Sequence, residues 1–206
     1  MHKLNASLFL SLMLLPLIGL ADGISSLTKF YQDTQAMQAD FYQVVTDKKG
    51  NKIQEVYGHM QLQRPNKFRW DYDRPFEQQI ISDGKQVWLY DTELAQVTVR
   101  ALSHALGSSP AALLAGERGI ESSFKLVNAY RKDKLDWVSS QPKDSDAGFS
   151  KISLGFKDDS LQAMDMLDSF GHQTRIVFSQ VKVNPKMDAR AFVFKVPKGI
   201  DVVGDK

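Results

Sequence analysis

Cysteine is absent from all 206 residues. This excludes a disulfide framework, a thiol nucleophile and a cysteine that could be acylated after a signal cut. Neither sign of charge is in excess, with 26 Lys and Arg against 24 Asp and Glu, so nothing suggests a nucleic acid as partner. Histidine is scarce. His2, His59, His104 and His172 stand far apart and form no HExxH or other compact ligand spacing, so no metal or other cofactor is expected. The chain also lacks a GxSxG elbow, a GxGxxG turn and a P-loop. The common routes to covalent or cofactor chemistry are therefore missing their parts, and a non-enzyme is the expectation.

The apolar run Leu8 to Leu20 is interrupted by Pro16 and Gly19 and falls short of the ~20 residues a spanning helix needs. His2 and Lys3 precede it, and the small residues Gly19 and Ala21 follow. This is the pattern of a secretory signal, with residues 1–21 cleaved and a mature chain of residues 22–206. That mature chain has 25 basic and 24 acidic residues. Its length fits one domain, and no Pro/Ser/Gly linker or internal repeat divides it. The Pro-, Asp- and Ser-rich stretch Gln141 to Gly148 reads as a loop between strands.

Ile24, Leu27, Tyr31 and Thr34 recur at helical spacing and predict an amphipathic helix. From about Gln38 the period changes to two, with Ala39, Phe41, Gln43 and Val45 on one side, before a turn at Asp47 to Asn51. Strand patterns continue through Met60 and Leu62, then through Phe68, Trp70 and Tyr72 alternating with Arg69, Asp71 and Asp73. The alternation places Asp71 and Asp73 opposite the aromatic side, as solvated charges rather than a catalytic pair. Asp158-Asp159 and Lys48-Lys49 fall at turns and need no functional role. Two or three short strands follow between Ile80 and Val99, and Ser109, Pro110 and Gly116 frame a short apolar helix. Further strands are predicted at Ser122 to Asn128, Leu135 to Ser139, Phe149 to Phe156, Leu161 to Leu167, Thr174 to Val183 and Ala191 to Val196. Ten or eleven strands with hairpin-sized turns imply a closed or partly closed antiparallel barrel, with helices able to cap its mouth.

The stretch Arg64-Pro65-Asn66-Lys67-Phe68-Arg69-Trp70-Asp71-Tyr72 resembles the RPNxFRWxY signature of the LolA family of periplasmic lipoprotein carriers. Pro75 to Asp91 and Leu94 to Val99 resemble that family's following blocks. Weaker similarity covers Ser109 to Leu114, Asp168 to Gly171 and Phe192 to Val202.

The resemblance implies an open antiparallel half-barrel of about eleven strands, mainly β, enclosing an apolar cavity covered by short helices. It implies a monomeric periplasmic chaperone that accepts acylated lipoproteins from an ATP-driven inner-membrane transporter and delivers them to an outer-membrane acceptor. A same-fold carrier of another amphiphile, such as a glycolipid or fatty acid, is the alternative. A lipid esterase would need a nucleophile beside a base, and the sequence offers no such pair. Met60, Leu62, Phe68 and Trp70 share one strand parity and are expected to face the cavity, with Leu27, Tyr31, Leu113 and Leu114 lining the lid. From the residues alone they equally describe an ordinary core. Arg64, on its own a solvated charge at a strand end, is by the resemblance the residue that hydrogen-bonds lid carbonyls and holds the empty form closed. Arg69 is assigned a surface role. The few residues after Ile200 leave little material for further C-terminal elements.

Overall fold

The computed structural model describes residues 23–105, 110–116, 124–143 and 148–204. Helix α1 (Gly23–Asp33) precedes six strands: β1 (Ala36–Thr46), β2 (Lys52–Gln63), β3 (Lys67–Arg74), β4 (Gln78–Asp83), β5 (Gln86–Asp91) and β6 (Gln96–Ala101). Two short helices follow, α2 (Leu102–Ala105) and α3 (Pro110–Ala115). The second run of strands is β7 (Phe124–Lys132), β8 (Leu135–Pro142), β9 (Phe149–Lys157), β10 (Ser160–Asp168) and β11 (Gln173–Val183). A 3-10 turn (Ala189–Phe192) and β12 (Asp201–Gly204) complete the described chain.

All twelve strands form one sheet in the order β12-β6-β5-β4-β3-β2-β1-β11-β10-β9-β8-β7. The sheet stays open, since β12 and β7 are its two edges. The half-barrel is the arrangement found, and the fully closed barrel is not. Hairpin neighbours pair antiparallel throughout, because connections of two to six residues permit nothing else. The junction of the two halves is β1 with β11, with Phe41 opposite Phe178.

The C-terminal segment corrects two expectations. Ala191 to Val196 is not a strand: Asp188 accepts a hydrogen bond from the Arg190 amide and caps a 3-10 turn. Its alternating phenylalanines are anchors of a crossing segment. Phe192 is fully buried, and Phe194 packs on Trp88 and Tyr90 with ring centroids 6.2 and 5.9 Å away. Beyond it β12 adds a twelfth strand, parallel to β6 with Asp201 opposite Gln96. Four residues suffice for this because the edge of β6 already presents unpaired backbone groups. The stripe on α1 is also rotated from the one expected. Gly23, Ser26, Leu27 and Phe30 are buried while Ile24 is exposed, since Phe30 reaches the sheet at Phe156. Gly116 follows α3 as expected, its amide bonded to the Leu113 carbonyl. The expected signal segment and the Ser109 cap lie outside the described residues.

Gly58 on β2 faces the concave side, where an added Cβ would lie 2.0 Å from the Asp71 carbonyl oxygen and 2.7 Å from the Phe41 ring. Phe41 thus occupies the space a side chain would need. Gly58→Ala is expected to lower unfolding free energy by about 2–3 kcal/mol in urea titrations. An unchanged midpoint would contradict this packing.

On the convex side His59 joins three strands. Its Nδ1 lies 2.8 Å from Asp40 on β1 and its Nε2 lies 3.0 Å from Asp73 on β3. The hydrogen bond to Asp40 leads the causes that raise its pKa above 6.5, against a smaller opposing desolvation, and Asp73 and Asp71 add their charges. The charged groups that act on it are carboxylates. Stability gained from the imidazolium is complete below the ordinary histidine pKa and is lost as pH rises through the higher folded value. Chemical denaturation at a series of pH values should show this loss, and His59→Gln should abolish it. An identical pH profile in that variant would disprove the clamp.

Candidate functional site

The concave face is apolar over most of its length because strand parity puts every second residue of these strands there. Met37, Ala39 and Phe41 come from β1, Met60 and Leu62 from β2, and Phe68 and Trp70 from β3; all are buried. Cross-strand register stacks Met60 on Trp70 and Leu62 on Phe68. The other half contributes Ile152, Leu154 and Phe156 from β9, Met164 and Met166 from β10, and Ile176 and Phe178 from β11. Trp70 lies 4.8 Å from Phe41 within the first half and meets Phe178 across the junction at 6.2 Å. Leu27, Phe30, Leu113 and Leu114 descend from the helices onto the same cluster, and Tyr31 packs against its edge. All eight residues singled out in the sequence are brought together. In this closed state they form a continuous packed core.

Arg64 lies where β2 turns toward β3, and its guanidinium reaches under both helices. Nε donates to the Thr34 carbonyl at 2.8 Å, and one terminal nitrogen donates to the carbonyls of Leu114 at 2.7 Å and Gly116 at 2.9 Å. These carbonyls close the ends of α1 and α3, where helices leave acceptors unpaired and carry partial negative charge. The cation also stands 5.0 Å from the Phe30 ring centroid and 4.5 Å from that of Tyr31. Burial pulls its pKa below the ordinary arginine value. The second terminal nitrogen is buried without a partner, so the closed arrangement leaves part of its hydrogen-bonding capacity unused.

The two helices are held unequally. Besides Arg64, Tyr31 Oη donates to the Leu113 carbonyl of α3 at 3.0 Å and the Asn66 amide to the Ala115 carbonyl at 2.9 Å. Helix α1 has independent anchors. Asp159, in the β9–β10 turn, accepts from Ser26 at 2.8 Å and from Lys29 at 2.6 Å. Asn184 donates to the Asp33 carbonyl and accepts from the Gln35 and Ala36 amides. Gly23 packs so tightly on β8 that an added Cβ would lie 2.9 Å from the Trp137 carbonyl.

Sequence reasoning missed Asp159 and Asn184, since a turn acid and a strand-end asparagine look the same whether or not a helix lies above them. Phe30 could have been found at i+3 from Leu27. Arg69 bonds Asp71 at 2.6 Å, yet one Asp71 oxygen is buried and unpartnered, so this aspartate is not the freely solvated charge expected.

An open sheet with an apolar hollow under arginine-tethered helices defines a lidded half-barrel. The family model described as outer membrane lipoprotein carrier protein LolA matches residues 32–195. A curated outer-membrane lipoprotein carrier protein of Methylobacillus flagellatus is 57% identical over 90% of this chain and 90% of its own. The one from Chromobacterium violaceum is 47% identical over 89% of this chain and 88% of its own. Among solved structures, an uncharacterized conserved protein from Thermus thermophilus superposes with a TM-score of 0.54 at 14% identity, covering 89% of this chain and 97% of the other. A LolA superfamily protein from Nitrosomonas europaea gives 0.50 at 12% identity, covering 84% and 98%. These two show the fold. The chain belongs to the LolA family of outer-membrane lipoprotein carrier proteins.

Arg64→Leu should free α3 more than α1. Charge-assisted bonds contribute roughly 1.5–3 kcal/mol each, so hydrogen exchange at the amides of residues 112–116 should accelerate at least about tenfold. The amides of α1 should change far less. Equal acceleration of both helices would contradict the unequal anchoring.

Proposed function

We propose that this chain is a periplasmic lipoprotein carrier that holds its cargo's acyl chains against the concave face, with Arg64 as the latch of the empty form. The observation carrying this reading is the bridge from one buried guanidinium to the carbonyl ends of both covering helices. The carrier role is supported by the names of relatives matched over nearly the full chain. The same relationship and the charge-then-apolar pattern of residues 1–21 support export to the periplasm by a cleaved signal, leaving residues 22–206 as one carrier domain.

Met60, Leu62, Phe68, Trp70, Leu27, Tyr31, Leu113 and Leu114 would then be the contacts replaced by acyl chains. Energetics set the terms. A chain of ~16 carbons at ~0.8 kcal/mol per CH₂ gains on the order of 12 kcal/mol by leaving water. Three such chains exceed the roughly 20 kcal/mol at which non-covalent affinity saturates. A carrier of this size cannot extract them from a bilayer unaided, so an ATP-driven inner-membrane transporter supplies the work and an outer-membrane acceptor takes the cargo. The carrier needs only a replaceable apolar surface. When chains leave, the helices repack on the wall and Arg64 regains its carbonyls, which offsets the loss.

The test incubates purified residues 22–206 with spheroplasts, followed by transfer of the released complexes to outer membranes. Wild type should bring lipoproteins into the soluble fraction and pass them on. Arg64→Leu should release comparable amounts but retain them. Normal onward transfer by that variant would remove the latch, and absence of release by wild type would turn the reading toward another amphiphile.

A further inference from the structure

The concave face ends in a polar chamber. Antiparallel register puts Arg64 at the end where β2 turns into β3, while the turns 47–51, 75–77 and 92–95 lie at the opposite end. There a cavity of about 330 Å³ is lined in part by Gln43, Val56 and Tyr72, together with the carboxylates of Glu77, Asp91 and Glu93. It adjoins the apolar wall directly. Gln43 follows Phe41 on the same face of β1, and the Tyr72 ring meets Phe41 edge-on at 5.3 Å.

Asp91 accepts from the Glu93 and Leu94 amides and closes its turn, but other polar side chains here are not bonded within the described residues. Gln43 is more than nine-tenths buried, and among the described residues its carboxamide has no hydrogen-bond partner. The Tyr72 hydroxyl has none either, and burial pushes its pKa up to about 12. Two residues along β3 on the same face, the Trp70 indole N–H is buried and unpartnered. The buried Trp70 N–H is a stability penalty that an apolar residue would avoid, and Gln43 and Tyr72 turn their polar ends to the cavity. A wall meant only for hydrocarbon would be better without them. Unpaired donors beside an apolar wall instead fit a ligand whose hydrocarbon ends in a carbonyl.

Every acyl chain is attached through a carbonyl, as an ester or an amide. We infer that the chamber is the subsite for the ester- and amide-bearing head of the acylated cargo. The Tyr72 O–H donates to a carbonyl oxygen, and Gln43 donates to a carbonyl or accepts from the amide N–H. The three carboxylates disfavour a free fatty acid, whose head carries like charge. The site therefore selects chains in neutral linkage over the same chains unattached. This rests on the carrier reading and adds head-group selectivity to it.

Two probes of equal chain length and charge separate the claims: a triacylated cysteinyl peptide and its analogue with ether linkages in place of the two esters, the amide being kept in both. Affinities are measured for full-length mature wild type and for Gln43→Leu/Tyr72→Phe. Wild type should bind the ester form about tenfold more tightly, and the double variant should bring the ratio close to one with little change for the ether form. A wild-type ratio near one, or a tenfold ratio that persists in the variant, overturns the subsite and leaves the carrier intact. Failure of both probes to bind wild type overturns the carrier reading itself. Tyr72→Phe removes a hydroxyl with no partner, so it should unfold at an equal or higher temperature than wild type. If the double variant does not fold, this single variant carries the test with a smaller drop, about threefold.

Discussion

A guanidinium held between the Phe30 and Tyr31 rings, with three carbonyl oxygens within hydrogen-bonding distance, is the interaction on which the closed molecule depends. An open sheet with an apolar hollow cannot leave that hollow facing water, because each buried apolar side chain contributes roughly 1.5–3 kcal/mol. It must be covered by the chain's own helices or by a ligand. The helices α1 and α3 are short and could not be stable by themselves. Arg64 satisfies their terminal carbonyls only when both lie down together, so covering the hollow and completing the helix ends become one event.

The surrounding contacts determine how that event is divided. Asp159, Asn184 and the close approach at Gly23 fix α1 to the second half of the sheet, whereas the described anchors of α3 converge near Arg64 and Tyr31. Helix α1 is thus tied to the wall independently of Arg64. A replaceable cover suits a protein that must give its cargo up, since very tight binding would leave directional transfer without a downhill step. The buried, unpartnered Arg64 nitrogen and Trp70 N–H fit the same pattern, in which closed-state stability is kept below its maximum.

Much of this was legible in the sequence, for identifiable reasons. Strand alternation exposed the inward parity of Met60, Leu62, Phe68 and Trp70, because a period of two leaves no choice of face. Pro110 and Gly116 bounded α3. The role of Arg64 was not legible from residues alone, since a charge at a strand end looks the same with or without carbonyls above it. The resemblance to the carrier family supplied that expectation. Phe192 and Phe194 misled, because an alternating pattern describes a strand and an extended anchor equally well. The partners Asp159 and Asn184 lie 133 and 151 positions from their contacts on α1, and no local pattern encodes such distances. The buried Trp70 N–H has no partner for a reason no sequence pattern carries, since an indole in an alternating strand looks the same whether or not an acceptor faces it.

The claim that acyl chains lie on the concave face is tested most directly by fluorescence quenching. Of the three tryptophans, Trp70 stands in that wall, while Trp88 packs with Phe194 and Trp137 with Tyr130 away from it. A triacylated peptide with brominated chains should quench part of the wild-type emission, and Trp70→Phe should remove the quenched component while still binding the peptide. Bound peptide that leaves wild-type emission unquenched, or quenching that survives in Trp70→Phe, would place the chains elsewhere and contradict the account.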